Sequence, residues 1–419
     1  MPQNTRTVQF RAAAFIITCF ATTSILHAQA LILPLASGPS PAAVARDLAT
    51  GTKRAPAASN ITSSMAAERP LLQYGPLNYS ASMTYRYLNG TGLRTILGRL
   101  RSSEVHSINL DSNLAVGRHW LINYATTASF YTSEEFRDPV DHSAAISAGY
   151  KLGDWSVAAS SGYSRSNDTL LEIGAQTTRD SYNSNLSLAR EIGDRTSLEL
   201  SVSHVANFAT GFASGRIITT TNWIRYQITP RLNTGIGFSY GANFASEGAD
   251  SNYTRPQVIL GWRPTEKITL SADAGYEFRK FRSDGQNSLV NPVYTASLSY
   301  APIAPTLLSL SANAAETGSY FASRATRSTG WSASVEQRIL GRVFLTGRYS
   351  EHRNSYIETN RGLAVGRRDK GKSIGTTIST VLYRRTSISV FYSRIENISS
   401  FTDFDVVSDQ YGLSIGLRF

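Results

Sequence analysis

Cysteine is almost missing from this 419-residue chain, with Cys19 the single example. It lies in an N-terminal apolar stretch, so removal of that stretch leaves no disulfide and no thiolate metal site. Charge is scarce: 17% of residues are Asp, Glu, Lys or Arg, against about 25% in a typical soluble domain. Beyond the N-terminus no run of about eighteen apolar residues occurs, which argues against a helical membrane protein. No catalytic motif is expected, whether a Gly-x-Ser-x-Gly elbow, a phosphate loop or a His-Glu-x-x-His zinc motif. His106, His119, His142, His204 and His352 are too scattered for their spacing to argue for a metal site. No cofactor is expected, and the chain is read as not an enzyme. Disorder is excluded by what replaces the charge, namely 21 Tyr, 17 Phe, 5 Trp and 31 Gly among many small polar residues.

The first thirty residues carry a basic start (Arg6, Arg11), an apolar core from Ala12 to Ala21 and a small-x-small site at Ala28-Gln29-Ala30. That pattern predicts a cleaved secretory signal over residues 1–30, with Ala28 and Ala30 marking the cut. Residues 31–72, rich in Ala, Ser, Thr and Pro, read as an extended periplasmic linker. The remainder, 73–419, reads as one unit.

From Leu77 onward, apolar or aromatic residues recur at every second position over stretches of about ten, the period of a strand with two unlike faces. Leu77, Tyr79, Ala81, Met83, Tyr85 and Tyr87 form one such row; Trp120, Ile122, Tyr124, Thr126, Ala128 and Phe130 form another. Short breaks such as Gly153-Asp154 and Gly341-Arg342 alternate with longer polar stretches such as Thr132 to Asp141, Arg165 to Arg179, and Glu351 to Lys370. This alternation predicts an all-β fold: a transmembrane antiparallel up-and-down β-barrel of about 18 strands (16–18), with short periplasmic turns and longer extracellular loops.

Charge placement sharpens the expectation. The apolar rows hold no charge between their ends, His204 being their one titratable side chain besides tyrosine, and should face lipid, where a midplane charge costs roughly 2–4 kcal/mol. The opposite rows carry Arg86, Asp111, Lys151, Glu199, Arg225, Arg255, Arg263, Asp273, Glu277, Arg279, Glu336, Arg338, Arg348 and Arg418, with Asn109, Asn113, Asn183, Asn185 and Gln257. These are the candidate pore-lining residues. Their basic excess predicts a weak anion preference, unless the arginines are spent on neighbouring carboxylates. Trp120, Trp155, Tyr226, Trp262 and Tyr300 beside short turns, and Phe130, Phe208, Phe244, Phe278 and Tyr392 beside long loops, predict two aromatic girdles.

Tyr411, Leu413, Ile415, Leu417 and Phe419 alternate to the end of the chain. This resembles the terminal strand by which bacterial barrels are recognised by the barrel assembly machinery. With units such as Tyr226-Gln227-Ile228-Thr229-Pro230-Arg231-Leu232 and Trp262-Arg263-Pro264-Thr265-Glu266-Lys267-Ile268, the chain resembles the outer-membrane β-barrel porins, some of which accompany exopolysaccharide systems. The resemblance implies residence in the outer membrane and a channel for small hydrophilic solutes. An exopolysaccharide exporter is the second reading, and a structural or enzymatic barrel with a blocked bore the third. The implied partners are outer-membrane lipid and lipopolysaccharide, the assembly machinery and periplasmic chaperones, further copies of the chain, and polysaccharide-synthesis proteins. Nucleic acid is excluded despite a pI near 9.7, because the basic residues are dispersed. The run Arg367-Arg368-Asp369-Lys370 reads as a solvated loop able to touch lipopolysaccharide.

Overall fold

The computed structural model describes residues 72–170, 172–247, 250–282, 288–321, 324–358, 364–383 and 385–419. The expected signal and nearly all of the expected linker, Ala28 and Ala30 included, lie outside these residues. Eighteen long strands form the ring. They are β1 (Leu77–Arg94), β2 (Leu100–Val116), β3 (Trp120–Tyr131), β4 (Val140–Leu152), β5 (Trp155–Ser166) and β6 (Arg179–Ile192). Then come β7 (Thr196–Ala209), β8 (Gly215–Thr229), β9 (Leu232–Ala245), β10 (Ser251–Thr265), β11 (Ile268–Phe281) and β12 (Leu289–Tyr300). The last six are β13 (Thr306–Gly318), β14 (Arg324–Ile339), β15 (Val343–Glu358), β16 (Ala364–Tyr383), β17 (Thr386–Ser399) and β18 (Val406–Arg418).

Each strand pairs antiparallel with its sequence neighbours, and β18 pairs with β1 from Ser82↔Arg418 to Gly90↔Gln410, so the sheet closes on itself. Where β18 ends, the backbone N–H of Phe419 donates to the Ala81 carbonyl at 2.9 Å, and a short strand, Leu72–Tyr74, takes over pairing along the foot of β1. The expected even-numbered up-and-down barrel is therefore the observed fold. Tight turns cluster at one rim, several opened by glycines in the left-handed region (Gly117 φ 62°, Gly153 φ 60°, Gly193 φ 64°) that a side chain would strain.

Register settles which side chains share a face. Trp120, Leu186, Leu200, Ile224, Ile236, Val258, Tyr294, Leu310, Ile378 and Val390 all lie on the outside, where in a lone molecule they stand open; Ile236 is 63% exposed. From Trp120 to Phe130 the band spans ten steps, about 25 Å when strands rise about 3.3 Å per residue and tilt about 40–45°. Aromatic rings edge the band at both levels, with Trp120, Trp155, Tyr226 and Trp262 below and Phe130, Phe208, Phe278 and Tyr392 above. An uncharged apolar band of that height, on a sheet with no free edge, is the surface of a membrane-spanning barrel of the outer-membrane type.

Two expectations need correction. The stretch from Glu351 to Lys370 is not a long loop: β15 runs on to Glu358 and β16 starts at Ala364. Strands that continue above the band no longer need apolar alternation, so their upper ends read as loop in the sequence. For the same reason the outward rows do carry charges within strands, including Glu351, Lys372, Arg394 and Glu396 above the upper girdle. Arg190, also outward, sits near the lower rim with its guanidinium 5.1 Å from the Trp155 ring.

The face assignment is testable on adjacent residues. Leu200→Arg, on the band, is expected to cost about 2–4 kcal/mol in reversible unfolding from lipid vesicles. Ser201→Arg, one step away and inward, should change stability by less than about 1 kcal/mol. Equal costs would refute the assignment.

Candidate functional site

The same register turns every candidate pore-lining residue to the inside, because each alternates with members of the outer band. It brings some of them together and leaves others apart. Arg225 Nη2 lies 2.9 Å from Glu199 on the neighbouring strand. Glu277, fully buried, is held by Arg255 at 2.5 Å and Arg279 at 2.7 Å, and Arg279 also reaches Glu316 at 3.5 Å. Lys151 pairs with Glu191 at 3.7 Å near the lower rim. A large part of the inward positive charge is thus spent in the wall. Arg86 has its guanidinium 4.2 Å from the Phe391 ring, and Asp111 accepts the Ser82 hydroxyl at 3.4 Å. Asp273, Glu336, Arg338 and Arg348 make no ion pair within 4 Å among the described residues.

Charge is the minority of this wall. Its commonest polar group is the hydroxyl, often paired across strands: Ser107 with Ser129 at 3.0 Å, Thr221 with Ser239 at 2.9 Å, Ser271 with Ser297 at 2.6 Å, Ser311 with Ser332 at 2.7 Å, Ser350 with Ser373 at 2.8 Å, and Ser389 with Ser414 at 2.6 Å. These residues were not singled out in the sequence. The signal was present as serine at alternate positions opposite the apolar rows, for example Ser309 and Ser311 between Leu308, Leu310 and Ala312.

Large inward rings are kept off the axis by glycine. Trp223 sits opposite Gly237, Tyr253 opposite Gly241, His352 opposite Gly371 and Phe391 opposite Gly412. A Cβ on Gly237 would come within 2.4 Å of the Trp223 ring, and one on Gly241 within 2.2 Å of Tyr253. Each ring therefore lies against the opposite backbone instead of standing into the bore. Tyr253 is further fixed by a 2.6 Å hydrogen bond between its hydroxyl and that of Thr219.

Three strings in the sequence have the spacing of catalytic motifs, a correction to the expectation that none occurs. Gly366 to Ser373 fits a phosphate-loop pattern, and residues 237–241 and 412–416 each fit Gly-x-Ser-x-Gly. All three lie in antiparallel strands, without the strand–loop–helix context that gives such motifs their chemistry. Arg367 and Asp369, expected in a loop, are buried inside β16 and paired with each other at 2.7 Å.

The loop-side mouth is roofed. Between β5 and β6, Thr169–Leu170 pairs with Ala175–Gln176 in a small hairpin rooted by Asp141, which accepts the backbone and side-chain N–H groups of Asn167, both at 2.9 Å. The hairpin crosses to the upper end of β1, where the Gln176 N–H donates at 3.2 Å to the carbonyl of Thr95, the residue that follows the strand. Its Glu172 carboxylate accepts the Ser319 hydroxyl and, at 2.9 Å, the Tyr320 N–H. The β13–β14 hairpin comes to meet it: its ladder with β12 stops at Ala314↔Tyr294, while β12 stays paired with β11 up to Leu289. Tyr320 then accepts the Ala213 N–H at 2.9 Å from the β7–β8 loop. From the far wall, Arg367 donates to the Glu172 carbonyl at 2.9 Å while its guanidinium lies between the Tyr356 and Phe404 rings, 4.1 and 3.7 Å from their centres. Arg94 donates to the carbonyls of Gly98, Asp403 and Asp405, tying in the β17–β18 loop.

Burial pushes the Glu172 carboxyl above its ordinary value, with Ser319, the Tyr320 N–H, Arg367 and Arg324 opposing the rise. A docked carboxyl that is harder to ionise than a free one favours docking at low pH, and this contribution is lost as pH rises through the raised value. Single-channel records should therefore show fewer transitions to a wider state as pH falls, and Glu172→Gln should flatten that dependence. Unchanged pH dependence in the variant would remove Glu172 from the latch.

No protein-family model matches the sequence, and no curated protein does. Among solved structures the chain is similar to OccK2 (OpdF) of Pseudomonas aeruginosa, at 13% identity and a TM-score of 0.46 over 81% of this chain and 98% of that one. It is similar to a BenF-like porin of Pseudomonas fluorescens Pf-5, at 11% identity and 0.45 over 81% and 99%. A third is OccAB3 of Acinetobacter baumannii, at 9% identity and 0.44 over 81% and 99%. At such identity none of these transfers a substrate.

Proposed function

We propose that this barrel is an outer-membrane channel through which small hydrophilic solutes diffuse passively. The observation that carries the reading is the wall itself: hydroxyls, amides and glycine face inward along nearly every strand of an eighteen-strand ring. Rings of 16–18 strands leave an aqueous bore, and hydroxyls and amides can replace part of a polar solute's hydration as it passes. The large inward rings lie flat, which favours passage over a packed core.

The roof favours small solutes over a polymer. An extended polysaccharide would need the hairpin between β5 and β6 and the β13–β14 tip to separate, and they are joined through Glu172, Ser319 and Tyr320. Export of an exopolysaccharide is therefore the weaker reading. Any anion preference should be slight, because Arg225, Arg255 and Arg279 are held by carboxylates. Arg86, Arg338 and Arg348, which no carboxylate holds among the described residues, are the cations placed to contribute to it.

Liposome swelling tests the reading. Monosaccharides should enter freely and trisaccharides slowly, and deletion of residues 168–177 should raise trisaccharide entry several-fold while changing monosaccharide entry little. Swelling by no sugar, in the intact protein and the deletion alike, would sink the channel reading. In planar bilayers under a salt gradient the reversal potential should indicate weak anion selectivity, reduced in Arg86→Gln/Arg348→Gln; cation selectivity in the intact protein would overturn that part.

A further inference from the structure

Above the upper girdle, the outward faces of β15 and β16 carry an arrangement that packing alone does not explain. Arg353 sits directly opposite Lys370, Ser355 opposite Arg368, and Glu351 opposite Lys372. Four cations thus occupy a grid two strands wide and three outward positions tall, with neighbours about 5 Å apart across the strands and about 7–8 Å apart on the diagonal. Like charges directly opposite each other destabilise a sheet. Within 4 Å among the described residues, only Lys370 of the four has a carboxylate, Glu351 at 3.0 Å. The inward residues between them, Arg367 and Asp369, are paired with each other and offer nothing outward.

The surroundings indicate what the missing counter-charge belongs to. Below the grid lies Ile374; Trp331 and Glu396 flank its lowest rung, opposite Glu351 and Lys372, and beside Lys370 stands Ile398, which is 62% exposed. The cations therefore stand beside Ile398 and Trp331 and directly above Ile374, where the apolar band begins. A soluble anion would use the cations and leave these apolar side chains bare. A molecule with a charged head and acyl chains would cover both. A second copy of the same face would bring cations onto cations.

We propose that the outward face of β15–β16 just above the girdle, with Arg353, Arg368, Lys370 and Lys372, binds the phosphorylated headgroup of a membrane glycolipid whose chains lie along Ile374, Trp331 and Ile398. The site rests on the outer-membrane placement proposed above but not on conduction. It replaces the expected solvated loop of residues 367–370 by a strand surface in which only Arg368 and Lys370 of that run take part.

The test uses the full chain in neutral detergent, with lipid A bearing two phosphates, the same lipid dephosphorylated, and inorganic phosphate as probes. The intact barrel should bind the diphosphorylated lipid at least tenfold more tightly than the dephosphorylated one. Arg353→Gln/Arg368→Gln/Lys370→Gln should lose that difference, and millimolar inorganic phosphate should not displace the lipid. Equal binding of the two lipids by the intact barrel would overturn the proposal. So would full phosphate preference in the folded triple variant, or displacement by inorganic phosphate. Folding of the variant is checked by its heat-sensitive mobility in gels. Were it misfolded, the comparison of the two lipids on the intact barrel would decide. Conductance in bilayers of uncharged lipid should be the same for both proteins, so loss of the lipid site leaves the channel reading standing, and loss of conduction leaves the site standing.

Discussion

Hydrocarbon offers no partner to a peptide N–H or C=O, and this constraint governs the rest of the molecule. A sheet in lipid must satisfy every such group within itself, so it must close. Here closure falls to β1 and β18, the first and last long strands, whose ladder runs from Ser82↔Arg418 to Gly90↔Gln410. The even strand number follows, because the two must run antiparallel to meet. The foot of β1, left open where β18 ends, is covered by Leu72–Tyr74. The alternating C-terminal row from Tyr411 to Phe419 is thus one half of the seam as well as the stretch that resembles an assembly signal.

Closure fixes the two faces, and each face is then filled by its own solvent. The outside is aliphatic at mid-height and aromatic at two levels, with ionised groups beginning above Trp331, Tyr349 and Tyr392. The inside is hydroxyl, amide and glycine, with charges mostly in cross-strand clusters such as Arg255–Glu277–Arg279. A single ring thus meets two media, and the purge of charge from one face is a stronger statement about environment than overall composition, which is merely polar and aromatic.

The faces were legible in the sequence wherever a strand crosses the band. Rows such as Trp120 to Phe130 and the breaks at Gly153-Asp154 and Gly341-Arg342 carry the strand number and closure that the structure has. Legibility failed above the band, where lipid no longer enforces alternation; Glu351 to Lys370 read as loop although both strands continue. It failed again for the roof. Glu172 meets Ser319 and Tyr320, and Arg94 meets Asp403 and Asp405, across hundreds of residues or nearly so, and no local pattern encodes such meetings. The serine wall is legible as serine alternating with the apolar rows, though hydroxyls carry no charge to mark them as inward.

The contact of Glu172 with the β13–β14 tip has a mechanical side. A ring held only by neighbour-to-neighbour ladders can flatten into an ellipse without breaking a bond, since each joint need flex only slightly. A strut from the β5–β6 side to the β13–β14 side spans the opening, and Arg367 anchors the same point from a third direction. Flattening along that line would have to crush or snap the strut. The roof therefore stiffens the cross-section at the upper rim against lateral pressure from the surrounding bilayer.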